Sequence, residues 1–192
     1  DHVVSSETST AVQIEVLRGP ATLFYGSGAI GGIVNVVDNR IPTSTDTLAE
    51  WLVQYKTVAN ETVASVSLQT GANHFAWHLD AFSRASENIT LSKDFDQGHD
   101  NSHELANSAS ESSGFTLGTS YIFDSGYVGI SYGYMDKFYG VPGHGHEEHN
   151  EEVEEETEDI FADMKQHRIQ VLSEVNFHDN FINKIHSKIG FS

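Results

Sequence analysis

Residues 74–85 read HFAWHLDAFSRA, a run in which apolar and polar side chains largely alternate. Successive side chains of an extended chain point to opposite faces. Phe75, Trp77 and Leu79 therefore share one face, and His78 and Asp80 share the other. A period of two over this length predicts a β-strand with one apolar and one polar surface.

Six further runs share this period and bring the number of predicted strands to seven. They cover residues 48–58, 62–70, 114–123, 127–138, 167–177 and 181–191. The connections are short at 59–61, 71–73, 124–126 and 178–180, and long at 86–113 and 140–165. Both long connections fall on the same edge of an antiparallel sheet, and this asymmetry of short turns and long loops is typical of an outer-membrane β-barrel.

A soluble β-sandwich is the alternative, because an antiparallel sheet can face water on one side. Aromatic side chains at strand ends on the apolar face favour the barrel, where they would form an interfacial girdle. They are Trp51, Phe75, Tyr134, Phe177 and Phe191. Single-chain bacterial barrels have even strand numbers from about eight upward. Seven strands therefore predict a fragment.

Composition excludes several other classes of protein. The 192 residues carry 10 basic and 28 acidic side chains, a net charge of -18, which argues against binding nucleic acid or an anionic lipid surface. There is no cysteine, so a disulfide scaffold, a thiolate metal site and a cysteine nucleophile are excluded. No window approaches the ~20 apolar residues of a spanning helix. No G-x-S-x-G, P-loop or H-E-x-x-H motif is present, and we do not predict an enzyme.

The N-terminal region has a different pattern, which predicts a strand, a short helix, a glycine turn and a second strand. Its segments IEVLRGP (14–20), LFYG (23–26) and GAIGGIVNVV (28–37) closely resemble the last part of the plug domain of TonB-dependent outer-membrane receptors. The resemblance covers roughly residues 12–42. In this family the plug fills a barrel of about 22 strands.

The resemblance implies a mostly β fold, a fragment of an outer-membrane antiparallel β-barrel with the C-terminal part of its N-terminal plug domain. Residues 1–42 would belong to the plug and residues 43–192 to the first seven barrel strands. It also implies the outer membrane of a Gram-negative-type bacterium, contact with its lipid, and a partnership with the inner-membrane TonB complex. The chain starts at Asp1 without a Met, a basic n-region or an apolar h-region. Either a signal peptide has been removed or the sequence begins within a longer protein, and we expect the second.

A second segment, YGVPGHGHEEH (139–149), looks like the His-rich extracellular loop of the zinc-importing members of this family. Imidazole nitrogen and carboxylate oxygen are ligands that zinc accepts, although copper and nickel also bind imidazole. The candidate metal ligands are His144, His146, His149, Glu147 and Glu148. A solvated acidic loop is the alternative, because ten carboxylates and no Lys or Arg lie within residues 144–163.

The first long loop offers a second, weaker metal cluster. His99 and His103 are four residues apart, as are Asp100 and Glu104, so a helical turn would bring each pair onto one face. A disordered polar loop is the alternative. His74 and His78 lie on a strand, roughly 13 Å apart, and cannot chelate one ion together.

These observations predict TonB-dependent outer-membrane transport of a metal ion, with zinc as the substrate and no resident cofactor. The alternatives are a receptor for a ferric siderophore, haem or cobalamin, and a soluble all-β metal-sequestering protein.

Overall fold

The computed structural model describes residues 9–19, 31–92, 103–142, 160–177 and 181–192. Among these residues no helix is long and apolar enough to span a membrane. The strands are β1 (Gln13–Arg18), β2 (Gly32–Val37), β3 (Leu48–Lys56), β4 (Glu61–Ala72), β5 (Phe75–Ser86), β6 (Ile89–Thr90), β7 (Glu104–Leu105), β8 (Ser110–Phe123), β9 (Gly126–Gly140), β10 (Phe161–Asn176) and β11 (Lys184–Phe191). A short 3-10 helix, Thr57–Ala59, follows β3.

Seven strands form one antiparallel sheet in the order β11-β10-β9-β8-β5-β4-β3. Strands β6 and β7 pair with each other inside the first long connection, and β1 pairs with β2 as a separate ribbon. The seven predicted strands and their sequential pairing are confirmed. The sheet is not closed within this chain, since β3 and β11 form its edges, and it corresponds to a segment of a β-barrel wall.

The tight connections follow local backbone preferences. Asn60 and Asn73 adopt positive φ angles of 44° and 56° at the ends of β3 and β4, a left-handed conformation that asparagine tolerates better than most residues. Gly126 begins β9 with φ 156°, where a Cβ would collide with the backbone of Glu174. These turns hold neighbouring strands in the register that keeps one face apolar.

Strand β10 begins at Phe161, six residues earlier than the sequence pattern predicts. Asp163 and Lys165 lie on the same face as Ile169, opposite Phe138 and Asp136 of β9. Asp163 and Lys165 thus make the outer face polar near the start of the strand, and the alternation of apolar and polar residues begins only after them. The first six residues of β10 therefore do not show the alternating pattern from which the other strands were predicted.

The distribution of polar and apolar side chains in this sheet is the inverse of that in a water-soluble protein, and we call it the inverted sheet. Its buried polar residues are Gln69, His78, Asp80, Ser112, Ser120 and Ser131, whereas large apolar side chains on the other face are exposed. Trp51 is 79% exposed, and Trp77, Leu117 and Ile130 belong to the same outer surface. Burying such a side chain contributes about 1.5–3 kcal/mol, so this surface requires an apolar environment.

The segment between β2 and β3 covers the polar inner face. Ile41 and Pro42 are buried, and Ser120 donates a hydrogen bond to the Pro42 carbonyl oxygen. The segment approaches the wall where side chains are small, at Gly118 beside Arg40 and at Gly129 beside Ile41. The two predicted N-terminal strands are confirmed as β1 and β2. The predicted helix between them lies outside the described residues, and the domain boundary at residue 42 stays a prediction.

Candidate functional site

The inner face of the sheet is organised in rows of residues at the same register. One row runs across five strands through Ser67, Asp80, Thr116, Gly133 and Arg168. Neighbouring strands are about 4.8 Å apart, so the Cα atoms of Asp80 and Arg168 are separated by roughly 14 Å. Thr116 and Gly133 leave open space between these two charged residues.

His78 and Asp80 form a buried pair on β5. His78 Nε2 lies 2.9 Å from Asp80 Oδ2, and both residues are only 6% exposed. The described residues offer His78 Nδ1 no partner, since this buried atom makes no hydrogen bond. A carboxylate beside one imidazole nitrogen orients the ring and fixes which nitrogen carries the proton.

Gln69 ties β4 to the segment before β3. Its Oε1 accepts a hydrogen bond from Asn39 Nδ2 at 2.6 Å. Its Nε2 faces Ser44 Oγ at 3.3 Å and the carbonyl oxygen of Asp46 at 3.4 Å. A buried side-chain amide satisfied in this way fixes the path of the segment across the wall.

A polar cavity of about 280 Å³ lies between the β1–β2 ribbon and the inner face. Its walls include Asn35, Asp38, Arg40, Thr116 and Arg168. Asp38 accepts hydrogen bonds from Nε and Nη2 of Arg40, so these two charges are paired with each other. The cavity is thus a polar space between the predicted plug and the predicted barrel wall.

Charged side chains also pair at the edge of the sheet that carries the long connections. Glu61 accepts from Lys56 Nζ at 2.6 Å and from Arg84 Nη1 at 3.1 Å. All three residues lie at strand ends on the inner face. Glu61 and Arg84 are partly buried and Lys56 is exposed, and this network keeps that edge of the inner face polar.

The outer face becomes polar at the same edge. Tyr132 Oη lies 2.9 Å from His167 Nδ1, and Tyr134 donates a hydrogen bond to Asp136 at 3.0 Å. Lys165 lies 3.6 Å from Asp163. Aromatic rings with their polar groups directed away from an apolar band are typical of the boundary between hydrocarbon and water.

The predicted metal ligands are mostly outside the described residues. These are His144, His146, His149, Glu147, Glu148, His99 and Asp100. Glu104 lies in strand β7, paired with Thr90, and not in the helical turn expected there. His103 precedes this strand and its carbonyl oxygen accepts a hydrogen bond from Leu91. No group of three or more potential ligand side chains comes together in the part of the chain that the structure describes.

The sequence pattern predicted that His78 and Asp80 lie on the polar face, but it did not predict that the segment before β3 covers that face. Alternation shows which face a side chain occupies. It does not show which other segment covers that face. The small residues Gly118, Ser120 and Gly129 are the available signal, because a row of small side chains on adjacent strands leaves room for another backbone.

Comparison with known proteins identifies short regions of similarity. The chain is 56% identical over 32 residues to the probable TonB-dependent siderophore receptor PirA of Acinetobacter baumannii, a match covering 17% of this chain and 4% of that receptor. It is 64% identical over 28 residues to the ferric enterobactin receptor PirA of Pseudomonas aeruginosa, covering 15% of this chain and 4% of that receptor. The chain thus matches only a small part of either relative. No protein-family model matches the chain.

The inverted sheet defines a wall segment of a membrane β-barrel. The short matches support the TonB-dependent receptor family, and they place the chain in the outer membrane of a Gram-negative bacterium.

Proposed function

We propose that the receptor containing this chain transports a metal-bearing substrate across the outer membrane in a TonB-dependent manner. The observation that carries this proposal is the inverted sheet, whose polar face is covered by residues 38–46 while its apolar face is open. A transporter of this kind needs a wall that faces hydrocarbon and an interior that is closed by a removable domain.

The interior contacts suggest how such a receptor is held closed. Hydrogen bonds from Asn39 to Gln69 and from Ser120 to the Pro42 carbonyl fasten the end of the predicted plug to the wall. The polar cavity lies between the β1–β2 ribbon and the inner face of the wall, so the ribbon packs less tightly against the wall than residues 39–42 do. In our proposal the inner-membrane TonB complex does work on the plug, and this looser region yields first.

A ferric siderophore is the substrate that we place first. Both relatives described above are named as siderophore or ferric enterobactin receptors. Uptake of a radiolabelled ferric tris-catecholate siderophore by cells that depend on the full-length receptor tests this choice. We expect energy-dependent uptake that is lost in cells lacking TonB. Equal uptake with and without the receptor would contradict it.

Zinc is the second candidate substrate, supported by the histidines and glutamates of residues 144–149. In this version His144, His146 and His149 capture the ion with oxygen ligands from Glu147 and Glu148, and the surrounding acidic residues raise the local cation concentration.

Replacing His144, His146 and His149 together with alanine tests the capture role. Zinc uptake through the full-length receptor at limiting zinc should fall several-fold, because the imidazole ligands are removed while the glutamates remain. The matched control is His74→Ala, since His74 hydrogen-bonds the Ile122 carbonyl at the opposite edge of the sheet. Unchanged zinc uptake in the triple variant, with siderophore uptake also intact, would exclude zinc capture by this segment.

A further inference from the structure

Arg168 is one of the charged side chains of the inner face that make no hydrogen bond or ion pair within the described residues, and the charges that act on it are those of Arg40 and Asp38. It lies on β10 in the wall of the polar cavity, and the described residues give its guanidinium no hydrogen-bond or ion-pair partner. By contrast, Arg40 is paired with Asp38, and Asp80 with His78. A guanidinium presents five N–H donors, no acceptor and a fixed positive charge, so a partly buried one favours oxygen acceptors and, most strongly, anionic ones.

The surroundings of Arg168 fit a small anion with several oxygen atoms. Gly133, its neighbour in the row, has no side chain, and Thr116 beyond it contributes a hydroxyl group to the cavity wall. Across the cavity, Asp38 occupies Nε and Nη2 of Arg40, and the described residues give Nη1 no acceptor. The side-chain amide of Gln166 also lines the cavity, whereas the Asn35 amide donates a hydrogen bond to Glu15.

Two carboxylates, Asp38 and Asp80, also line the cavity, and each has a partner of its own, Arg40 and His78. Asp80 belongs to the far end of the row, roughly 14 Å from Arg168 between Cα atoms. Asp38 is paired with Arg40 and its charge also acts on Arg168, so the two guanidinium groups exceed this carboxylate by one positive charge. The volume of about 280 Å³ accommodates a phosphate or a small carboxylate with its water, and is too small for a whole siderophore.

We infer that Arg168, with Arg40 and Thr116, forms a binding site for a small oxyanion of the phosphate or carboxylate class. The bound anion bridges the wall strand β10 to the segment before β3, and so fastens the predicted plug to the wall. The inference goes beyond transport and is independent of which substrate the receptor carries.

Thermal unfolding of the full-length receptor in detergent tests the site, with inorganic phosphate as the probe and ionic strength held constant with sodium chloride. A ligand that binds only the folded state raises its melting temperature by mass action. In Arg168→Gln the apparent phosphate affinity should fall about tenfold or more, because a charge-assisted bidentate contact is lost. Lys188→Gln is the charge-matched control, since Lys188 lies on the inner face of β11 outside the cavity, and it should keep the wild-type response.

Replacing phosphate with citrate distinguishes the two ligand classes by the same readout. If the wild type and Arg168→Gln show the same rise in melting temperature with phosphate, and also the same rise with citrate, the proposal is overturned. If Arg168→Gln fails to fold, diffraction from wild-type crystals soaked in selenate decides the question. An anomalous selenium peak within hydrogen-bonding distance of the Arg168 guanidinium is expected, and its absence would also overturn the proposal. Neither result depends on whether transport is observed.

Discussion

Gly118 shows how single residues decide where the predicted plug meets the wall. A Cβ at this position would collide with the carbonyl oxygen of Arg40, and at Gly129 it would collide with the side chain of Ile41. At Gly71 it would lie 2.6 Å from Thr45 Cα. Three glycines on three strands therefore allow the segment of residues 40–45 to lie directly on the sheet.

Replacing Gly118 with alanine should therefore destabilise the receptor. The added methyl group must displace backbone atoms of Arg40, an overpacking effect that costs about 1–3 kcal/mol in the free energy of unfolding. Urea unfolding of the full-length receptor in detergent measures it. Gly133→Ala is the matched control, because its Cβ would lie 3.5 Å from Thr116 Oγ1, an ordinary contact. Equal stability of the two variants would contradict the close approach at Gly118.

At the scale of elements, alternation was sufficient to predict all seven strands of the main sheet. Successive side chains of a strand point to opposite faces, so a strand with one apolar face shows a period of two in its sequence wherever it lies in the fold. Strand bounds were less accurate at β10, because Asp163 and Lys165 on the outer face interrupt the apolar pattern. The ribbon of β6 and β7 was not predicted, since each strand has two residues and no period can be read from them.

The outer face of β10 offers a direct test of what each surface contacts. Ile169 lies on the outer face opposite Tyr132, and Gln170 lies on the inner face opposite Ser131. Ile169→Arg should cost about 2–4 kcal/mol near the middle of the bilayer, because the charge would enter hydrocarbon. Gln170→Arg should cost much less, because its side chain faces the polar interior. Unfolding of the receptor in lipid vesicles measures both, and an equal cost would contradict the assignment of faces.

On the scale of the whole molecule, the chain combines a wall that is incomplete by itself with a segment that covers its inner surface. The alternation of apolar and polar residues predicted the wall, and the assignment of the covering segment to the end of a plug domain stays a prediction from the resemblance at residues 12–42. It could not predict the cavity at Arg168. That cavity depends on the register across four strands and on the path of residues 38–46, and both are tertiary properties.

The central claim is that the apolar face of this sheet contacts hydrocarbon and the polar face does not. Spin labels placed one at a time at residues 64–68 of β4, in the full-length receptor in lipid bilayers, test it most directly. Ala64, Val66 and Leu68 lie on the outer face, and Ser65 and Ser67 lie on the inner face. We predict high collision rates with oxygen and low rates with a water-soluble nickel chelate at the three outer positions, and lower oxygen collision rates at the two inner ones. Uniform nickel accessibility along the strand, or an alternation of the opposite phase, would contradict the account.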